Sequence, residues 1–169
     1  MADLILVVHN VRSAHNVGSL FRTAAGLGLN EVVLTGYTPY PASKTDQRLP
    51  HIAAKAANQI SKTALGTEQM IKWRQADDIT KLLDELRQAG YQLAALEQAS
   101  ESVQLGKFKP PAKLALLVGN EVEGLDNETL KRCEVILEIP MRGRKESFNV
   151  AVAAGMALYQ LTSLDRLDA

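Results

Sequence analysis

Residues 113–161, KLALLVGNEVEGLDNETLKRCEVILEIPMRGRKESFNVAVAAGMALYQL, decide the fold of this chain. They contain two short, continuous apolar runs, at Leu114–Val118 and Val135–Ile139. Runs of this kind are typical of strands that are buried on both faces of a sheet. The first run ends in the tight-turn pair Gly119-Asn120 and the second is stopped by Pro140. This part of the chain therefore predicts two buried strands, each followed by a turn.

A long apolar helix follows the second strand. Ser147 fits its N-cap, and nearly every position from Phe148 to Leu161 is apolar or small. A helix with so little polar surface must be buried, either in the core of its own domain or against a partner. The sequence leaves both readings open, a helix that covers the sheet and a helix that forms a subunit interface.

Strands and helices alternate through the rest of the chain. Such alternation predicts an α/β fold, a mostly parallel sheet with helices on both faces. Ligands bind beyond the carboxyl ends of the strands in such a sheet, so the turns that begin at Glu97, Gly119 and Pro140 are candidates. The predicted strands are residues 4–8, 32–34, 70–73 and 91–96, the helices 16–27, 51–60 and 79–89, and the loops 10–15, 36–50, 61–66 and 97–111.

Length and composition narrow the class of protein. The 169 residues suit one domain that spans 1–169, and no run approaches the length of a membrane span. A single cysteine, Cys133, allows no internal disulfide, so the cytoplasm is the expected compartment. The three histidines and Cys133 have no metal-ligand spacing, so no metal is expected.

Basic residues gather in three places although the formal net charge is zero. If nucleic acid is the partner, the attraction must come from such local patches. The alternative is ordinary solvated surface. On the first helix, Arg22 shares a stripe with Gly18 and Ser19, and two small residues there leave room for an approaching group. The basic positions are Arg12 and Arg22, Lys44 and Arg48, and Arg142, Arg144 and Lys145.

Three segments together carry a family resemblance. NVRSAHNVGSLFRTA near the start, LLVGNEVEGL and ILEIPMRGRKESFNVAVAAGMAL resemble the three motifs of SpoU-type (TrmH-like) RNA ribose 2′-O-methyltransferases of the SPOUT superfamily. The motifs occur in the family's order and cover nearly the whole chain. The resemblance implies a C-terminal trefoil knot, bound S-adenosylmethionine, and a homodimer with the active site at the subunit interface.

The resemblance also implies a set of site residues. Those expected to be catalytic are Asn16, Arg22, Glu121, Ser147 and Asn149. Those expected to bind the cofactor are Leu96, Glu97, Gly119, Asn120, Glu121, Gly124, Ile139, Met141, Ser147, Phe148 and Asn149. Two alternatives stay open: Ser147 serves only as an N-cap, and Glu121 holds the turn or pairs with a basic residue of the other subunit.

The implied substrate is RNA. Arginine is a poor base, so Arg22 is expected to stabilise a developing alkoxide and hold a phosphate. No separate RNA-recognition domain is expected, which favours tRNA as the substrate and leaves rRNA second. RNA contact is expected from Arg12, Arg22, Lys44, Arg48, Arg142, Arg144 and Lys145. The alternative function is a non-catalytic member that binds RNA or S-adenosylmethionine.

Overall fold

Parallel strands build the framework of the chain. The computed structural model describes residues 3–43 and 46–167, with side chains in the last helix as far as residue 162. The strands are β1 (Asp3–His9), β2 (Glu31–Thr35), β3 (Trp73–Ala76), β4 (Gln92–Leu96), β5 (Val103–Gln104), β6 (Lys113–Val118) and β7 (Val135–Glu138). The helices are α1 (Ala14–Leu27), α2 (Pro50–Ala64), α3 (Ile79–Gln88), α4 (Asn127–Lys131) and α5 (Val150–Leu167).

Within the described residues the strands form one sheet in the order β3-β2-β1-β6-β4-β7-β5, and every neighbouring pair is parallel. The α/β fold with a parallel sheet is therefore confirmed. Alternate residues of β1 face opposite sides, with Leu6 in one core and Val7 in the other. Helices α1, α2 and α5 contribute to the first core, and α3 contributes to the second.

Several predicted boundaries were wrong. The third strand occupies 73–76 instead of 70–73, because residues 67–69 form a 3-10 turn before it. Helix α2 continues to Ala64, so most of the predicted loop at 61–66 is helical. Two short elements, β5 and α4, lie in segments that were predicted to be loop or gap.

The predicted N-cap of the final helix was also wrong. Helix α5 begins at Val150, and the side-chain oxygen of Asn149 accepts the N–H groups of Ala151 and Val152 at 2.9 and 3.3 Å. Asn149 is therefore the cap, and Ser147 lies in the loop before it. Both residue types cap helices, so the sequence did not separate them.

Strand β7 lies between two strands that are consecutive in the sequence. Leu137 pairs with Leu96 of β4 on one side and with Val103 of β5 on the other. Residues 97–102 must therefore cross β7 to join its two neighbours. The Gln98 side chain donates to the carbonyl of Glu146 at 2.8 Å, which ties this crossing segment to the chain that leaves β7. The trefoil knot itself stays a prediction.

Helix α5 is only half covered by its own chain. Ala154, Ala157 and Leu158 are fully buried against the sheet and α1. On the other side, Val152 is 53% exposed and Tyr159 is 64% exposed. One face of α5 therefore covers the sheet, as the first reading predicted. The other face is open, and the subunit interface stays a prediction.

Candidate functional site

A cavity lies at the carboxyl ends of three adjacent strands, β4, β6 and β7. Its volume is about 140 Å³, and it opens to solvent. Residues that follow each strand line it, as does the start of α5. The expected ligand edge of the sheet is therefore the edge where the cavity occurs. The lining residues are Leu96, Glu97, Gln98, Val118, Gly119, Asn120, Glu121, Val122, Gly124, Leu137, Ile139, Ser147, Phe148, Val150 and Ala153.

Most of the predicted cofactor residues meet in this cavity. Met141 and Asn149 are the two that do not line it. Six lining residues were not predicted from the sequence. The strand residues Val118 and Leu137 gave no signal beyond their apolar character. Gln98 and Val122 adjoin predicted positions, so their place in a strand-end turn was the available signal.

The turn after β6 is closed by Asn120. Its backbone exchanges two hydrogen bonds with Gly124, at 3.1 and 3.0 Å. Its side-chain oxygen accepts the N–H groups of Val122 and Glu123 at 2.8 and 3.0 Å. Asn120 therefore holds residues 120–124 as a compact wall of the cavity.

Gly119 and Gly124 are required by close packing within this wall. A Cβ on Gly119 would lie 2.5 Å from the carbonyl carbon of Gly124. Gly124 has φ +68°, and a Cβ there would lie 2.1 Å from the Glu97 carboxylate. That carboxylate also accepts the N–H of Leu125 at 3.2 Å, so the β4 and β6 turns are joined.

Glu121 binds the amino end of α1. Its carboxylate accepts the N–H groups of Arg12 and Ser13 at 3.0 and 3.1 Å and the Asn16 side-chain amide at 2.9 Å. Partial burial favours the neutral acid, but these hydrogen bonds outweigh it and lower the pKa of Glu121. An anion at the amino end of a helix is also favoured by the helix dipole. Glu121 thus joins the turn after β6 to the start of α1, and its pairing with a basic residue of another subunit stays a prediction.

Asn16 connects Glu121 to the final helix. While its amide nitrogen donates to Glu121, its oxygen accepts the Asn149 amide at 3.1 Å. Because Asn149 caps α5, these three side chains link the ends of β6, α1 and α5. Three of the five predicted catalytic residues are thus in one hydrogen-bonded chain beside the cavity.

Arg22 lies outside the cavity of its own chain. Its side chain is exposed on α1 and makes no hydrogen bond or ion pair with any described residue. The room expected next to Gly18 is filled by α2, since a Cβ on Gly18 would lie 2.3 Å from the Ile60 carbonyl oxygen. On the other side, the neighbouring Thr23 faces α5 near Gly155. Arg22 therefore lies on a helix that packs beside α5, the helix whose outer face is open.

Arg48 binds other residues of its own loop. Its guanidinium stacks 3.5 Å from the ring centroid of Tyr40, donates to the carbonyls of Tyr40 and Pro41, and pairs with Asp46. The hydrogen bonds from Arg48 lower the pKa of Asp46 to about 2. These contacts give Arg48 the role of holding the loop, and its RNA contact stays a prediction.

Four of the other predicted RNA contacts are exposed in two loops. Arg142, Arg144 and Lys145 are exposed in the loop between β7 and α5, which also supplies cavity residues. Arg12 is exposed directly before α1, with its guanidinium 5.9 Å from the Tyr37 ring centroid. Lys44 lies outside the described residues.

In the described part of the chain, no three histidine, cysteine or acidic side chains are grouped as a metal site would need. Over the same residues, no helix combines the length and the apolar character that a bilayer span requires.

Comparison with known proteins identifies the group to which this architecture belongs. A curated relative, the 23S rRNA (guanosine-2'-O-)-methyltransferase RlmB of Xylella fastidiosa, is 31% identical over 93% of this chain and 57% of its own length. The chain thus spans little more than half the length of the curated relatives it matches. The AdoMet-bound rRNA methyltransferase from Sinorhizobium meliloti is a structural neighbour with TM-score 0.79 and 25% identity, over 96% of this chain and 56% of that one.

A second solved structure matches almost end to end. It is described as giving structural insights into the 2-OH methylation of C/U34 on tRNA. Its TM-score is 0.78 at 26% identity, and the match covers 96% of both chains. Finally, the family model described as the SpoU rRNA Methylase family matches residues 3–159, so this chain belongs to that family.

Proposed function

We propose that this chain transfers a methyl group from S-adenosylmethionine to a ribose 2′-hydroxyl of RNA. The observation that carries the proposal is the cavity at the ends of β4, β6 and β7, in a chain matched by the SpoU family model over residues 3–159. Relatives named as RNA methyltransferases and a neighbour with bound AdoMet support both the reaction and the donor.

The cavity has the chemistry that this donor needs. Leu96, Leu137 and Ile139 offer apolar walls for the adenine, and the turn at 119–124 offers backbone polar groups. Glycine is required at 119 and 124 for the turn to pack so closely. The donor supplies a methyl group that is already activated on a sulfonium. The chain therefore has to position the RNA hydroxyl and stabilise charge on it, which can account for much of a rate enhancement.

Arg22 is the proposed group that does so. Its guanidinium has no partner among the described residues and is free to contact a phosphate or a developing alkoxide. Arginine is a poor base, so Arg22 acts by electrostatics, and the proton of the ribose hydroxyl passes to water or a phosphate oxygen. Asn16 and Asn149 act by holding the loops in place, since their amides already bond to Glu121 and to α5.

The separation of Arg22 from the cavity supports a homodimer. The open face of α5 carries Val152, Met156 and Tyr159, and Arg22 lies on the helix that packs beside it. If two chains join through this face, Arg22 of one chain approaches the cavity of the other. Burial of these apolar side chains would drive the association.

We favour tRNA over rRNA as the substrate. The neighbour whose description mentions C/U34 on tRNA is matched over 96% of its length, whereas the rRNA relative is matched over 57%. Phosphate contacts from Arg12 and the 142–145 loop would make RNA binding dependent on salt.

The experiment is a methyl-transfer assay with the purified protein. Labelled S-adenosylmethionine is supplied with tRNA and rRNA from cells that lack this protein, and methylated riboses are then mapped. Label at a single 2′-hydroxyl of tRNA is expected. Label in rRNA alone would overturn the choice of substrate. Binding of donor and RNA without any transfer would identify a non-catalytic member of the family.

A further inference from the structure

We propose that the Tyr37 ring stacks against a nucleobase of the RNA next to the target ribose. The inference rests on the proposed function and adds to it a residue that the three family motifs do not contain. Tyr37 is the second residue after β2, and the residue is 52% exposed.

Tyr37 is held in place from two directions. Its backbone N–H donates to the Asn10 side-chain oxygen at 3.2 Å. Its hydroxyl accepts the Asn120 amide at 2.7 Å. A surface tyrosine is normally free to rotate, but these two bonds fix the backbone and the far end of the ring. A ring held in this way loses little further freedom when a ligand binds.

The backbone under Tyr37 is equally constrained. Gly36 has φ +67°, and a Cβ there would lie 1.9 Å from the Asn10 side-chain oxygen. Thr38 is buried, and its hydroxyl accepts the N–H of Val11 and donates its one proton to the carbonyl of Thr35 at 2.8 Å, with the Val8 carbonyl at 3.1 Å. The start of this loop is therefore fixed to the end of β1.

The position of Tyr37 links it to the reaction centre. Asn120, which donates to its hydroxyl, is the residue that closes the 120–124 turn and lines the donor cavity. Arg12 lies on the same side, with its backbone bonded to Glu121 of that turn. An RNA segment that reaches the cavity from this side would pass the ring.

The chemistry of the surface fits an unpaired nucleotide. Aromatic faces stack on single-stranded bases and nearby arginines contact their phosphates. The other tyrosine-arginine pair of the loop provides the contrast. Arg48 covers Tyr40 at 3.5 Å, whereas Arg12 stands 5.9 Å from the Tyr37 centroid and leaves the ring half exposed. Arg48 therefore covers the face of Tyr40, whereas the Tyr37 ring can accept a base.

Three substitutions of Tyr37 separate stacking from a purely structural role. Tyr37→Leu removes the aromatic face, and we expect the KM for RNA to rise about tenfold. Tyr37→Phe removes only the hydroxyl and should change that KM less than about threefold, as it keeps the stacking surface. Tyr37→Trp should retain activity and give indole fluorescence that falls when RNA is added. Tyr40→Phe is the matched control for loss of a hydroxyl in the same loop and should leave every parameter unchanged.

The measurements distinguish failure of this inference from failure of the proposed function. Steady-state KM values for RNA and for S-adenosylmethionine are measured with the RNA class that accepts label, and S-adenosylhomocysteine binding is measured without RNA. If the unmodified protein transfers no methyl group, the proposed function is wrong. If it does, and Tyr37→Leu and Tyr37→Phe behave alike or both weaken S-adenosylhomocysteine binding, Tyr37 only supports the turn. An unchanged KM for RNA in Tyr37→Leu would equally overturn the stacking contact.

Discussion

The side-chain nitrogen of Asn149 lies 3.1 Å from the side-chain oxygen of Asn16, although 133 positions separate them in sequence. Asn149 caps α5 and Asn16 lies in the first turn of α1. This one bond therefore fixes the two helix starts relative to each other. It also brings the first and last family motifs together at the rim of the cavity.

Exchange of charge tests the link between Asn16 and Glu121. Asn16→Asp replaces the donor that Glu121 accepts with a second carboxylate, and we expect a loss of about 1–2 kcal/mol in the free energy of unfolding. The double variant Asn16→Asp/Glu121→Gln restores one donor and one acceptor and should recover most of that loss. Urea unfolding of Asn16→Asp, Glu121→Gln and the double variant, each compared with the unmodified protein, measures the coupling. Additive losses in the double variant would show that the two side chains do not interact.

The lowered pKa of Glu121 predicts how stability depends on pH. The folded pKa lies below the usual value of 4.5, so the ionised form stabilises the protein above that value. This contribution is lost as the pH falls through the lowered pKa. Glu121→Gln should therefore lower the melting temperature at neutral pH, and the difference from the unmodified protein should shrink on acidification from about pH 5 to about pH 3.

Glu101→Gln is the control for this pH series. Glu101 is exposed in the segment that crosses β7 and makes no hydrogen bond with a described residue. Its loss should leave the melting temperature unchanged across the same range. A difference for Glu121→Gln that persisted at every pH would assign its effect to packing instead of charge.

Two glycine substitutions should have opposite effects. Gly119→Ala forces the turn at 119–124 to open, because the new Cβ would lie 2.5 Å from Gly124. We expect about 1–3 kcal/mol of destabilisation and weaker binding of S-adenosylhomocysteine. Gly26→Ala meets no atom within 4 Å and lies inside α1, so it should stabilise the protein by about 0.5–1 kcal/mol. Calorimetric titration and thermal unfolding measure both, and retained donor binding in Gly119→Ala would contradict the proposed cavity wall.

Removal of the Arg22 guanidinium should separate catalysis from donor binding. Arg22→Ala is expected to reduce kcat by about 100-fold or more and to leave S-adenosylhomocysteine binding unchanged. Lys81→Ala, which removes an exposed cation from α3, is the matched control. If the site is shared, mixing Arg22→Ala chains with inactive Ile139→Glu chains should restore activity, because a mixed dimer keeps one complete site. Equal loss of binding and kcat in Arg22→Ala would assign the residue to the fold.

A charge on the open face of α5 should prevent dimer formation. Met156 is 37% exposed on that face, so Met156→Asp should give a monomer by light scattering and lose methyl transfer. Met70→Asp places the same charge at a residue that is 79% exposed elsewhere and should leave the mass unchanged. A monomeric unmodified protein with full activity would end the case for a shared site.

The sequence predicted strand bounds best where both faces of the strand are buried, because only apolar residues are favoured there. Strands β1 and β6 are apolar at consecutive positions because both faces of the sheet are covered, and their predicted bounds were close to those observed. Strand β5 has only Val103 and Gln104, which is too short for any periodic signal. Its existence depends on pairing with a strand more than 30 positions later.

The candidate site was predicted as a set of residues but not as a set of contacts. Polar residues at strand ends indicated the cavity, and the family resemblance named most of its lining. The partners of Glu121 and Asn16 lie more than 100 positions away, so no local pattern reveals them. The sequence gives no sign that Arg48 has partners, and only the folded loop shows that it pairs with Asp46 and stacks on Tyr40.

The location of β7 has a consequence for biosynthesis. Among the described strands, β5 has no sheet neighbour except β7, which the ribosome makes about thirty residues later. During translation, five strands can assemble before β7 is made, namely β1, β2, β3, β4 and β6. Strand β5 stays unpaired over that time, because the position between β4 and β5 is still empty. The sheet is completed only when β7 inserts between β4 and β5. A nascent chain released before residue 138 should therefore stay incompletely folded and sensitive to proteolysis.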